Sequence, residues 1–252
     1  MQLKTYFNWS SGKDAALALH YLLQDKNYSV GHLLTSVNSF HNRVSMHGLR
    51  RELLEQQIRS VGITGTTIEL AEQPSMQEYE TAMRDAVMQL YKKGFHYAAF
   101  GDIFLEDLRN YRETQLNKVN IRAVFPLWKR NTKELLHEFI ALGFKAIVVC
   151  VNAQLLEADF AGRIIDASFI NDLPKGVDPC GENGEFHTFC FDGPIFTKPV
   201  PFITGEKVYR EYNAPADSNT DQKETGTKPM GFWFCDLLPV EETIFSDKRF
   251  AF

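Results

Sequence analysis

The feature that most constrains this chain is a repeated switch of hydrophobic period, from short strand-like runs to helical stripes and back. Residues 5–9 form an aromatic strand pattern that breaks into Ser10-Ser11-Gly12 and then into an Ala/Leu-rich stretch, residues 15–23, with high helical propensity. The switch then recurs. Residues 30–37 read as a strand, and 49–61 as a helix with Leu53, Leu54, Ile58 and Val61 on one stripe. Residues 66–70 make a third strand, 97–101 a fourth and 123–125 a short fifth ending at Pro126, with a helix over 105–117. From Ser75, a helix N-cap, to Gly94, a stop, Met76, Tyr79, Met83, Val87 and Leu90 keep helical spacing. Strands joined by crossover helices predict an α/β fold with an open, mostly parallel five-stranded sheet covered on both faces.

After Trp128 the pattern changes. A helix over 132–142 leads to the most apolar strand, 146–151, then a helix-like stretch over 161–173; beyond Gly176 the Gly, Pro and aromatic content suggests loops and antiparallel strands. The expected division is residues 1–128 and a smaller α+β unit, 129–252, with a polar linker or surface loop at 213–228 and a strand at 230–238. Phe232-Trp233-Phe234 in that last strand suits a homodimer interface as readily as a core.

Composition excludes several classes. At 252 residues, 44% of them apolar, the chain can bury a full core without metal or disulfide. The net charge of -5 argues against broad nucleic-acid binding, which relies on a basic surface. Cys150, Cys180, Cys190 and Cys235 form no C-x-x-C pair and read as free thiols in a reducing compartment. No signal-peptide pattern follows Met1 and no apolar run reaches the length of a membrane span, so a cytoplasmic protein is expected.

In an open parallel sheet, ligands bind beyond the carboxyl ends of strands where the next helix begins. Ser10, Ser11, Gly12, Lys13, Asp14 and Ala15 occupy such a place. Small residues let backbone N–H groups approach an anion, hydroxyls add donors, and the helix presents its positive end. A plain strand-to-helix turn capped by Ser10 or Ser11 is the alternative. Asp102, directly after Gly101 at the end of the fourth strand, projects into the same crevice; it can hold Mg²⁺ on phosphates, bond a sugar hydroxyl, or cap the next helix. Arg109 and Arg112 share a helix face and can grip phosphate or carboxylate, or form surface pairs with Glu113 and Glu106. Residues 181–188 hold two glycines, two carboxylates, His187 and Thr188. They read as too polar for a core strand and too glycine-rich for a helix, hence as a substrate-binding loop. His41 and His47 flank a polar loop and form either a metal pair or two surface residues.

The first loop resembles the Ser-Gly-Gly-x-Asp-Ser motif of the PP-loop N-type ATP pyrophosphatases. Ser10, Gly12, Lys13 and Asp14 fit it, while Ser11 stands at the first glycine and Ala15 at the final hydroxyl. With Gly101-Asp102-Ile103 and the residues through Glu113, Pro126-Leu127-Trp128, and the run from Asp178-Pro179-Cys180-Gly181-Glu182-Asn183-Gly184-Glu185-Phe186-His187-Thr188 to Phe196, the sequence is similar to the diphthine-ammonia ligase family over roughly residues 4–200. That resemblance implies a Rossmann-like, adenine nucleotide alpha hydrolase-like fold with ATP and Mg²⁺ as cofactors. It implies a reaction that adenylates a small or protein-borne carboxylate, releases pyrophosphate, and transfers the acyl group to ammonia with loss of AMP. Diphthine is a modified histidine on a translation elongation factor. Lys13, Asp14 and Asp102 would be catalytic; Ser10 to Ala15 and Gly101 would bind ATP; Arg109, Arg112, Glu182, Glu185, His187 and Thr188 would bind substrate. Two rival readings are a PP-loop tRNA-modifying enzyme and a nucleotide-binding protein with little turnover.

Overall fold

In the computed structural model, which describes residues 2–212 and 230–240, the elements β1 (Leu3–Asn8), α1 (Lys13–Gln24), β2 (Tyr28–Asn38), β3 (Arg43–Val44), α2 (Arg51–Val61), β4 (Gly65–Leu70), α3 (Met76–Lys92), β5 (Tyr97–Ala99), α4 (Glu106–Asn117) and β6 (Arg122–Val124) follow in order. Five of these strands run parallel, as expected, and their order is β4-β2-β1-β5-β6. The sixth member, β3, is a two-residue antiparallel piece on the end of β2, pairing Val37 with Val44 and Asn38 with Arg43. Strand order reverses at β1. The chain proceeds to β2 on one side and later returns to β5 on the other, which opens a crevice beyond the carboxyl end of β1.

Alternation along β1 assigns the two faces. Tyr6 packs with Leu34, Val87, Leu90, Phe100 and Leu116, beneath α3 and α4, whereas Phe7 joins Ala16, Leu19, Leu53 and Leu54 of α1 and α2. Caps set the helix limits. Ser75 and Glu78 form a reciprocal capping box at the start of α3, and Gly62, with φ 75°, ends α2 in the left-handed conformation.

A second sheet, of four strands among the described residues, is antiparallel. It follows α5 (Thr132–Ala141) and is built from β7 (Lys145–Asn152), β8 (Phe186–Asp192), β9 (Phe202–Tyr212) and β10 (Met230–Pro239). The stretch expected as a helix over 161–173 contains only α6 (Ala167–Asp172). Asp166 accepts the Phe169 N–H as its N-cap, and Gly162, at φ 84°, turns the chain after a 3-10 turn at Ala158–Phe160. The polar segment 213–228 lies outside the described residues. Phe232, Trp233 and Phe234 sit half-buried on β10 between β7 and β9, with Trp233 against the core. Among the described residues no helix is long and apolar enough to cross a membrane.

Helix α1 joins the two sheets. Its Ala15, Ala16, Leu17, Ala18, Leu19 and Leu22 are all buried, in one cluster with Val148, Val149, Phe169, Phe186 and Phe189 of the second sheet and its helix. Gln57 of α2 ties the same junction together. Its side-chain amide accepts from Trp9 Nε1 at 2.7 Å and donates to the carbonyls of Ser11 (3.0 Å) and Cys190 (2.5 Å). Replacing it by an apolar residue leaves the buried Trp9 Nε1 without its partner and takes one bond from each carbonyl, while Ser11 O keeps the bond from Cys190 N; a buried group left unpaired costs about 1–3 kcal/mol. Gln57→Leu is therefore expected to lower unfolding stability by about 1–3 kcal/mol, read from denaturant titration; a change within experimental scatter would show that water replaces the lost bonds.

Candidate active site

The crevice beyond β1 is a cavity of about 400 Å³ lined by the first loop with α1, the ends of β2 and β5, the turn at residues 44–47, parts of β4, α3 and α4, and the segment entering β8. Its floor depends on two glycines. A Cβ on Gly101 would lie 2.8 Å from Ala15 N, so only glycine lets the end of β5 approach the α1 backbone. A Cβ on Gly12 would lie 3.0 Å from His47 Cε1 and 3.3 Å from Thr188 O. Ser11 carries φ 71°, a conformation that favours glycine, and its buried Oγ has no hydrogen-bond partner among the described residues. The strain is offset by the two bonds its carbonyl accepts, from Gln57 and from Cys190 N at 2.9 Å.

First-turn amides of a helix have no intrahelical partner. One of them, Lys13 N, donates to Thr188 Oγ1 at 3.0 Å. The Lys13 side chain is 2% exposed; its Nζ reaches Asp14 Oδ2 at 2.8 Å and the Cys180 carbonyl, and sits over the Phe186 ring. Burial opposes its charge, but Asp14, Cys180 and Glu182 outweigh burial and raise its pKa above the ordinary value. Lys13 is thus a buried, fixed cation.

Three carboxylates share the cavity with it. Asp102, whose pKa burial raises against the pull of Arg112, lies 2.7 Å from Arg112 Nε, and that guanidinium stacks on Phe100. Glu182 accepts Ile103 N–H at 2.8 Å. Asp14 raises the pKa of both.

The other sequence candidates divide. Ser10, Gly12, Lys13, Asp14, Ala15, Gly101, Asp102, Arg112, Glu182, His187 and Thr188 line the cavity; Ser11, Arg109 and Glu185 do not. Arg109 pairs with Glu113 at 2.8 Å and lies over Trp128 and Phe125. Glu185, 2% exposed, holds its own turn together by accepting from the backbone N–H groups of Asp178 and Asn183. Residues 181–188 are not all loop: His187 and Thr188 belong to β8. That strand tolerates them because Thr188 is buried against α1 while Phe186, Phe189 and Cys190 supply the core contacts.

Both halves of the chain match models of one family, residues 3–123 the diphthamide synthase N-terminal domain and residues 131–219 its C-terminal domain. The chain belongs to the diphthamide synthase family. Curated relatives are named diphthine–ammonia ligase. The mouse protein is 31% identical over 128 residues, covering 49% of this chain and 48% of that one. The human protein is 33% identical over 116 residues, covering 44% and 43%, and the zebrafish protein 29% over 151, covering 55% and 59%. The matched stretch thus spans about half the length of these relatives. Among solved structures, a U34-tRNA thiolase from Methanococcus maripaludis aligns at TM-score 0.35 and 17% identity, covering 56% of this chain and 57% of that chain, too slight a likeness to inform function.

Sequence reasoning left His47 of this diphthamide synthase family member as half of a metal pair or a surface residue. His47 enters the site and stacks on His187, with ring centroids 4.7 Å apart, while His41 stays outside and pairs with Glu72 at 3.3 Å. The signal was distant: Asp236 of β10 binds Arg43 (2.9 Å) and Arg50 (2.7 Å), and Arg43 donates to Gly48 O, which folds the His47 turn inward.

Burial, with the charges of Asp14 and Asp102, pushes the Glu182 carboxyl up to about 7 against the pull of Ile103 N–H and Lys13. The folded chain therefore holds a proton that the unfolded chain has lost between pH 4.5 and about 7, and stability falls as pH rises through that window. Glu182→Gln keeps an acceptor for Ile103, and it is expected to melt above the wild type at about pH 8 but level with it at about pH 4. An equal offset at both pH values in thermal denaturation would assign the effect to packing.

Proposed function

We propose that this chain is an AMP-forming ligase that activates a carboxylate with ATP and passes the acyl group to ammonia. The observation that carries this reading is the meeting, at the strand-order reversal, of the α1 first turn, the buried Lys13 ammonium and the carboxylates of Asp14, Asp102 and Glu182. Cation and amides suit a polyphosphate. The apolar part of the lining, Leu34, Ile68, Tyr79, Met83 and Phe100, suits the adenosine.

The carboxylates fit a divalent cation. Asp14 disfavours the charge on Asp102 and on Glu182, and Asp102 that on Glu182, a repulsion that a shared Mg²⁺ would relieve. Among the described residues no group of three or more ligands is arranged to hold a metal, which suits an ion held largely by phosphates with one or two carboxylates, Asp14 and Asp102 first. When bound, Mg²⁺ would neutralise charge on the departing pyrophosphate.

The chain's own groups then have separable tasks. Lys13, freed from Asp14 by the nucleotide, stabilises the charge that builds on the leaving pyrophosphate as the acceptor carboxylate attacks the α-phosphorus. Gly12 and Gly101 let the nucleotide lie against backbone, and Thr188 fixes the first turn by occupying the Lys13 amide. Arg112 holds Asp102 at the cavity wall. The mixed anhydride with AMP has a good leaving group where a free carboxylate has none, and ammonia displaces AMP to leave an amide. No enzyme nucleophile is required. The relatives' name makes diphthine the acceptor to test first.

Incubation with ATP, Mg²⁺, ammonium and a diphthine-bearing elongation factor is expected to release AMP and pyrophosphate in equal amounts with amide formation. ADP and phosphate instead would overturn the scheme. Lys13→Ala is expected to slow turnover by roughly 10²–10³-fold, read as AMP release.

A further inference from the structure

The stacked imidazoles of His47 and His187 are not used by the scheme above, yet they line the same cavity as Lys13 and the phosphate loop. His47 Nδ1 lies 3.1 Å from the Thr188 carbonyl oxygen. A carbonyl only accepts, so in the neutral ring Nδ1 carries the hydrogen and Nε2 bears the lone pair. The neighbouring Cε1 would stand 3.0 Å from a Cβ on Gly12, which places this edge of the ring over the first loop. The turn that carries His47 is clamped by Arg43 and Asp236, so the ring is held by its surroundings.

We propose that His47 is the proton acceptor for the nitrogen nucleophile, and that the phosphate anion bound at Lys13 arms it. The proposal rests on the ligase reading. In the step concerned, the ammonia lone pair forms the bond to the acyl carbon, the bond from that carbon to the AMP oxygen breaks with its electron pair leaving on AMP, and the proton shed by nitrogen goes to His47 Nε2. His187, stacked on the ring, keeps it in place.

The charged and titratable groups around His47 are Lys13 from α1, His187 from β8 and, beyond Gly48, the Arg43–Asp236–Arg50 cluster. In the free chain burial, then His187 and Lys13, hold the His47 pKa down at about 3 against the Thr188 bond, and burial and Lys13 hold His187 down at about 4. Two neutral rings beside a fixed cation exclude ammonium and admit ammonia. A phosphate anion on Lys13 cancels its repulsion and makes the ring a better base at the stage when a proton must be accepted.

The test follows proton uptake when α,β-methylene ATP, which cannot be cleaved at the reacting bond, binds with Mg²⁺. Calorimetry is run in buffers of differing ionisation enthalpy, with nitrogen-15 NMR of the histidine rings. The expected result is an Nδ1–H tautomer for His47 in the free protein and a rise of its pKa by roughly one to three units on binding. His47→Asn, which retains a donor for Thr188 O, should bind the analogue but take up no proton, and should lose amide formation roughly 10²–10⁴-fold. Analogue binding with no pKa rise at His47, an Nε2–H tautomer, or undiminished amide formation by His47→Asn would each overturn the proposal. Failure of the analogue to bind the wild type would overturn the ligase reading itself.

Discussion

The contact on which the molecule depends is the docking of β8 against the first loop. Cys190 N donates to Ser11 O, Thr188 Oγ1 accepts from Lys13 N, and Gln57 bridges Ser11 O, Cys190 O and Trp9. A strand-to-helix turn has more polar backbone than it can satisfy alone. Here a strand from the second sheet satisfies part of it, and in doing so brings the segment of residues 178–188 over the crevice. Fold and site are therefore not separable: the bonds that complete the turn are the ones that close the wall of the cavity.

Electrostatics sharpen that arrangement. Lys13 is buried yet stays charged because Asp14, the Cys180 carbonyl and Glu182 surround it, and burial, with the charge of Asp14 added, raises the carboxyls of Glu182 and Asp102. Removing one partner of such a group strands the other in low dielectric. On the proposed ligase reading, a phosphate would balance the buried cation and a divalent cation the neighbouring carboxylates. Burial depresses both cavity histidines, and Lys13 adds to it.

Much of this was legible in the sequence. Period switching gave the five parallel strands and their helices, because burial on one stripe or both faces leaves a direct imprint on residue order. The loop at Ser10–Ala15 and the placement of Asp102 were legible because ligand sites of open parallel sheets lie at strand ends. What escaped was set by distant partners. Arg109 and Glu185 have the right chemistry for substrate contact, but aromatic stacking on Trp128 takes the first and backbone N–H groups take the second. His47 looked like a surface residue because the ion pairs that turn it inward come from Asp236, almost two hundred positions later. Residues 187 and 188 looked too polar for a strand because the buried donor that Thr188 satisfies lies in α1.

Helix α1 is packed on one side by the parallel sheet and on the other by the antiparallel one, within a continuous apolar cluster. The two sheets consequently cannot swing apart about a hinge in the manner of a clam-shell, since such opening would expose a helix with no solvated face along most of its length. Traffic of a large ligand through this crevice must be managed at its rim. The turn at residues 181–184, which places no side chain in the apolar clusters, is a part of the wall that can yield without unpacking the centre.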